Sequence, residues 1–117
     1  MLVVLLDVDG TLASAGGPIL GYQVEKLNRP DITWGILSSR SKEGSQEACD
    51  ALGIEPAFIE VCRVDMRAEE LLLLKERHPA DRYVYVADRE VDRQEALKAG
   101  WEFCFAHKFE QLLEEVT

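Results

Sequence analysis

The residues of this chain that could do chemistry together are mostly acids. In "VVLLDVDGTLAS", Val3 to Ser14, two carboxylates, Asp7 and Asp9, follow directly on branched apolar side chains and precede Gly10. Burying one unpaired carboxylate is costly, and a second one nearby adds repulsion. A turn needs only one such acid, so two at the end of a buried strand call for something that offsets them. Asp88 and Asp92 follow the apolar run "YVYVA", and Ser38-Ser39-Arg40 follows another that begins at Ile32. If Asp88 opens a helix, Asp92 lies on the same face one turn later. Carboxylates gathered at one rim, beside a hydroxyl and an arginine, form an all-oxygen site that suits Mg²⁺ with water left in its shell.

Such a rim needs elements to build it. Leu2–Val8 reads as a strand covered on both faces. Ile32–Ser38, Ala57–Val61, Tyr83–Ala87 and Trp101–Phe105 read as further strands. Pro18–Asn28, Lys42–Leu52, Arg67–His78, Arg89–Ala99 and Lys108–Val116 read as helices, with Gly53 and Gly100 as stop signals. Strict alternation predicts βαβ units with right-handed crossovers. The expected fold class is therefore α/β, a Rossmann-like three-layer sandwich around a central five-stranded, mainly parallel sheet. Ligands of such sheets bind beyond the carboxyl ends of the strands, near the point where strand order reverses. A two-residue period would project Asp7 and Asp9 to the same side there.

Bulk properties narrow the partners. A length of 117 residues predicts a single domain over 1–117. The formal net charge of −9 argues against broad binding to nucleic acid or anionic membrane, though not against a local basic groove. Cys49, Cys62 and Cys104 form no CxxC pair and no metal-ligand spacing, so buried free thiols in a reducing compartment are expected. The first apolar run is interrupted at Asp7 and has no basic region before it, too short for a signal peptide or a membrane span. The expectation is a cytoplasmic protein with no membrane contact.

"DVDGTL" resembles the first signature of the haloacid dehalogenase-like phosphatases. An apolar strand ending in Ser38, "WGILSSR", resembles their second, and Asp88 and Asp92 in "VADREVD" their fourth. The resemblance runs nearly end to end and implies a Mg²⁺-dependent phosphatase. It implies that Asp7 is the nucleophile that takes the phosphoryl group. Asp9 would be the acid for the leaving group and then the base for water, its backbone carbonyl also holding the metal. Ser38 would hold a phosphoryl oxygen, with Thr11 and Ser39 beside the substrate. Asp7, Asp9, Asp88 and Asp92 would form the metal site. The third motif, a Lys or Arg bridging nucleophile and phosphate, falls on Arg67, with Lys75 as the runner-up.

The spans Asp9–Ile32 and Ser41–Arg67 are too short to hold a cap domain, so an open site is expected, one that admits a large substrate or is closed by a partner subunit. Ser38-Ser39-Arg40, Asp88-Arg89 and "GWEFCFA" also resemble the phosphatase domain of polynucleotide kinase-phosphatases. That implies a substrate with a 3′-phosphorylated nucleic-acid end, contacted by Arg40. Ala87 departs from that family, which carries an acid there, and no GxxxxGK[ST] kinase loop occurs. Two alternatives stand beside a phosphatase. One is the same fold without turnover, serving as a binding module. The other is a phospho-receiver signalling domain, whose phosphoacceptor would end the third strand; "IEVCR" has no Asp there.

Overall fold

The central strand β1 (Leu2–Leu6) is buried at every position. In this computed structural model, which describes residues Met1–Thr117, it is flanked on one side by β2 (Ile32–Ser38) and β3 (Ile59–Val61). On the other side lie β4 (Arg82–Ala87) and β5 (Glu102–Phe105), giving the order β3-β2-β1-β4-β5. Every pairing is parallel, with Leu6 opposite both Ile36 and Val86. The chain steps outward from β1 to β3, then returns to the far side of β1. Strand order therefore reverses between β1 and β4, which makes their carboxyl ends the place for a ligand.

Alternation along the strands sorts the core into two layers. Leu2, Val4, Leu6, Ile36 and Val86 meet α1 (Gly21–Glu25), α2 (Lys42–Leu52) and α5 (Phe109–Val116) through Val24, Cys49, Phe109 and Leu113. Val3, Leu5, Leu37 and Tyr85 meet α3 (Arg67–Arg77) and α4 (Glu90–Lys98) through Leu71, Leu74 and Ala96. The result is the expected three-layer α/β sandwich, with all five strands parallel. Between Asp9 and Ile32 there is only a 3-10 turn (Ala13–Ala15) and α1; between Ser41 and Arg67, only α2, β3 and a second 3-10 turn (Val64–Met66). Neither span holds a cap domain.

β2 and α2 begin and end where the sequence places them, because hard stops bound them: Ser41 accepts the Gly44 N–H as a helix cap, and Gly53 takes φ +69°. Most other elements are shorter, whereas β4 gains Arg82, which pairs with Leu2. β1 stops at Leu6, because Val8 already accepts turn bonds from the Thr11 and Leu12 amides. Helix α1 covers five residues rather than Pro18–Asn28. Its leading residues are tied to the loop before them by a bridge between Leu12 and Ile19. Only Cys49 is buried; Cys62 and Cys104 are half-buried, and all three are free thiols, correcting the expectation of three buried ones. No helix is long and apolar enough to cross a membrane.

Candidate active site

Asp7 follows β1 directly and is pinned between strands, its backbone N–H donating to Val86 O at 2.9 Å. It continues the face of Val3 and Leu5, toward α3 and α4, and only 5% of it is exposed. Asp88 follows β4, and Asp92 lies in the first turn of α4, fully buried. One oxygen from each of Asp7, Asp88 and Asp92 lies within 4.8 Å of the other two. The turn after Asp7 makes this approach possible. Gly10 has φ +72°, and a Cβ there would sit 2.0 Å from Asp88 Oδ2, so any side chain at position 10 would displace the acid.

Burial pushes the Asp7 carboxyl up to about 6, opposed by the Val8 N–H that donates to its Oδ1 at 2.8 Å and aided by Asp92. The cost of clustering is met partly by an arginine inside the fold. Arg67, the first residue of α3, is fully buried. Its Nη1 donates to Asp92 Oδ1 at 2.9 Å and to the Tyr85 hydroxyl at 2.8 Å, and its Nη2 to Cys62 O at 2.8 Å. Burial works against its charge, but Tyr85, Asp7 and Asp92 more than compensate and keep the guanidinium protonated. The Tyr85 hydroxyl donates onward to Leu37 O at 3.2 Å. From the opposite side, Arg89 Nε donates to Asp92 Oδ2 at 3.2 Å. Both oxygens of Asp92 are thus held by arginines, and those of Asp7 and Asp88 are not.

The remaining sequence-derived residues separate into those at the rim and those away from it. Asp9 is on the rim but outside the strand, its side chain 59% exposed, and Arg40 Nη2 holds its Oδ1 at 3.3 Å. The two-residue period therefore does not reach Asp9; a turn, not a strand, brings it beside Asp7. Ser38 is buried at the end of β2, where its Oγ accepts the Arg40 N–H at 3.0 Å. Ser39 is exposed and lines the cleft. Thr11 does not face the cleft: it is fully buried, and its hydroxyl finds no partner. Lys75 lies at the other end of the sheet, its Nζ 3.4 Å from Gly100 O and 5.2 Å from the centre of the Tyr83 ring. The cleft encloses about 250 Å³ and is lined by Asp7, Asp9, Gly10, Ser39, Asp88 and Arg89, with no apolar residue.

The chain matches no protein-family model and no curated protein. Among solved structures it is similar to 3-deoxy-D-manno-octulosonate 8-phosphate phosphatase from Moraxella catarrhalis, with TM-score 0.61 and 21% identity over 84% of this chain. The two chains share a fold. The chain spans 63% of the length of that phosphatase, which was crystallised with magnesium ion, phosphate ion and KDO. In a parallel sheet of this order Asp7 and Asp88 sit at the strand-order reversal, and the cleft they line is the place to look for chemistry.

Tyr85 contributes to this site though no sequence argument selected it, and Arg89, quoted in the sequence only as part of the Asp88-Arg89 resemblance, was given no role. Arg89 had a signal, since an arginine three residues before an acid at a helix start can pair with it. Tyr85 had none, because its hydroxyl matters only once Arg67 is brought beneath it. The position of Lys75 leads to an expected result: Lys75→Ala costs less than about 1 kcal/mol, as for a half-exposed lysine on an aromatic face, which thermal melts of the variant check.

Proposed function

We propose that the protein is a Mg²⁺-dependent phosphomonoester hydrolase working through an aspartyl-phosphate on Asp7. The observation that carries this reading is the convergence of Asp7, Asp88 and Asp92 at the reversal between β1 and β4. Asp7 and Asp88 offer hard oxygen donors free of arginine, which fits a small divalent cation; Asp92 stands behind them. When bound there, Mg²⁺ neutralises phosphate charge so that a carboxylate can approach a dianion.

The chain's own groups then have separate tasks. An Asp7 oxygen attacks phosphorus while the bond to the leaving oxygen breaks, and Asp9 gives that oxygen its proton. Asp9, now ionised, takes a proton from the water that cleaves the aspartyl-phosphate, which restores Asp7 and releases phosphate. Arg40 fixes the otherwise exposed Asp9 for both steps. Ser38 Oγ accepts from the Arg40 amide, so its hydroxyl proton is free for a phosphoryl oxygen. The rate gain comes from positioning and charge neutralisation, which phosphoryl transfer mainly requires.

For the substrate, the Ser38-Ser39-Arg40 and Asp88-Arg89 stretches favour a 3′-phosphorylated nucleic-acid end, for which an uncapped, wholly polar cleft has room. The fold shared with a sugar-acid phosphatase favours a small sugar phosphate as the second reading. The deciding experiment is phosphate release from 3′-phosphorylated oligonucleotides, nucleoside monophosphates and sugar phosphates, with Mg²⁺ and with EDTA. Release should be lost in EDTA and return with Mg²⁺. Metal-independent release, or none from any monoester, overturns the reading.

A further inference from the structure

Resting on the phosphatase reading, we propose that Arg89, rather than the buried Arg67, is the cation that touches the transferred phosphoryl group. The two arginines bracket the same carboxylate but differ in what they leave free. Arg67 has no exposed surface, and both its terminal nitrogens donate to Tyr85, Asp92 and Cys62 O. Its Nε is unpaired but buried, so an incoming phosphate can reach the guanidinium only by opening the core. Arg89 lines the cleft with Asp7 and Asp88 and keeps about half its side chain exposed. It uses only Nε internally, on Asp92 Oδ2; its two terminal nitrogens donate to no protein group.

The chain Arg67–Asp92–Arg89 explains how such a contact is prepared. Asp92 is immobilised by Arg67 from within the fold, and in turn holds Arg89 by one nitrogen. The outer edge of the guanidinium is left facing a wholly polar cleft at little cost in side-chain freedom, and a planar fork suits two oxygens of a phosphoryl group. Arg40, the other arginine of the rim, is already engaged by Asp9. Arg89 is therefore a catalytic residue, and Arg67 a positioning residue that acts through Asp92.

The test is inhibition of Mg²⁺-dependent hydrolysis by inorganic phosphate, compared among wild type, Arg89→Gln and Arg89→Lys. A charge-assisted contact predicts that Arg89→Gln weakens phosphate inhibition about 10- to 100-fold. It also predicts an equal loss in kcat/KM for every monoester, whatever its leaving group, with Arg89→Lys recovering part of both. Unchanged phosphate inhibition in Arg89→Gln overturns the proposal, as does a loss confined to substrates with an anionic leaving group. Arg89→Gln also withdraws a cation from the buried Asp92, so it is expected to melt a few degrees below wild type, and rates are compared at a temperature where every variant is folded; should Arg89→Gln fail to fold, Arg89→Lys against wild type carries the same comparison. Failure of the phosphatase reading looks different: wild type itself then releases no phosphate.

Discussion

Asp7→Asn is expected to abolish phosphate release, by on the order of 1000-fold or more, while making the metal-free protein more stable. The first effect follows from removing the proposed nucleophile. The second follows from burial, which raises the Asp7 carboxyl from 3.8 to about 6. A carboxyl with a raised folded value binds more protons folded than unfolded between those limits, so stability falls as pH rises through them. Below about pH 4 both states are protonated and the charge costs nothing. Above about pH 6 the full cost is present, about 3 kcal/mol at ~1.36 kcal/mol per unit. Asn carries no charge, so melts in EDTA should show the variant roughly 10 °C above wild type at pH 8 and level with it at pH 4. Mg²⁺ should raise the wild-type melting temperature and leave that of the variant unchanged. Wild-type turnover in Asp7→Asn would assign the nucleophile elsewhere, and an equal stability gain at both pH values would remove burial as its cause.

The largest loss of stability is expected from Arg67→Ala. Asp92 has no exposed surface, and without Arg67 its Oδ1 faces neither a cation nor water. Tyr85 and Cys62 O lose a donor at the same time. Removing one member of a buried pair costs about 3–5 kcal/mol; because Arg89 still holds Oδ2, the lower end, about 3 kcal/mol and roughly 10 °C in melting temperature, is the expected outcome. The cause can be isolated. Arg67→Met combined with Asp92→Asn removes both charges and should cost clearly less than the two single changes added together. Additive losses would mean that Arg67 stabilises by packing and not through Asp92.

The sheet was legible because a buried parallel strand declares itself as an unbroken apolar run, and because Ser41 and Gly53 put unambiguous ends on α2. The triad of Asp7, Asp88 and Asp92 was legible for the same reason, since each acid sits just past a strand end or one helical turn beyond it. What the sequence could not resolve was the direction in which side chains leave the rim. Asp9 turns out to Arg40, and Thr11 turns into the core, because the Thr11 amide closes a turn onto Val8 O around Asp9-Gly10, which ends the strand's alternation of faces. Lys75 and Arg67 share one helix but serve opposite ends of the sheet. A helix eleven residues long spans that whole distance, and spacing from the fourth motif does not tell its two ends apart.

The place of β1 at the middle of the sheet has a dynamic consequence. Its amides are bonded between β2 and β4, and all five of its residues are buried, so no partial opening frees this strand without dismantling its neighbours. Its backbone protons should exchange with solvent only through global unfolding, and the Asp7 amide, bonded to Val86, should exchange nearly as slowly. The helix starts that carry Arg40 and Arg89 belong to the outer layers, where local opening is cheaper. The proposed nucleophile is thus anchored in the last unit to open, while the groups around it sit in parts of the fold that can loosen and close again.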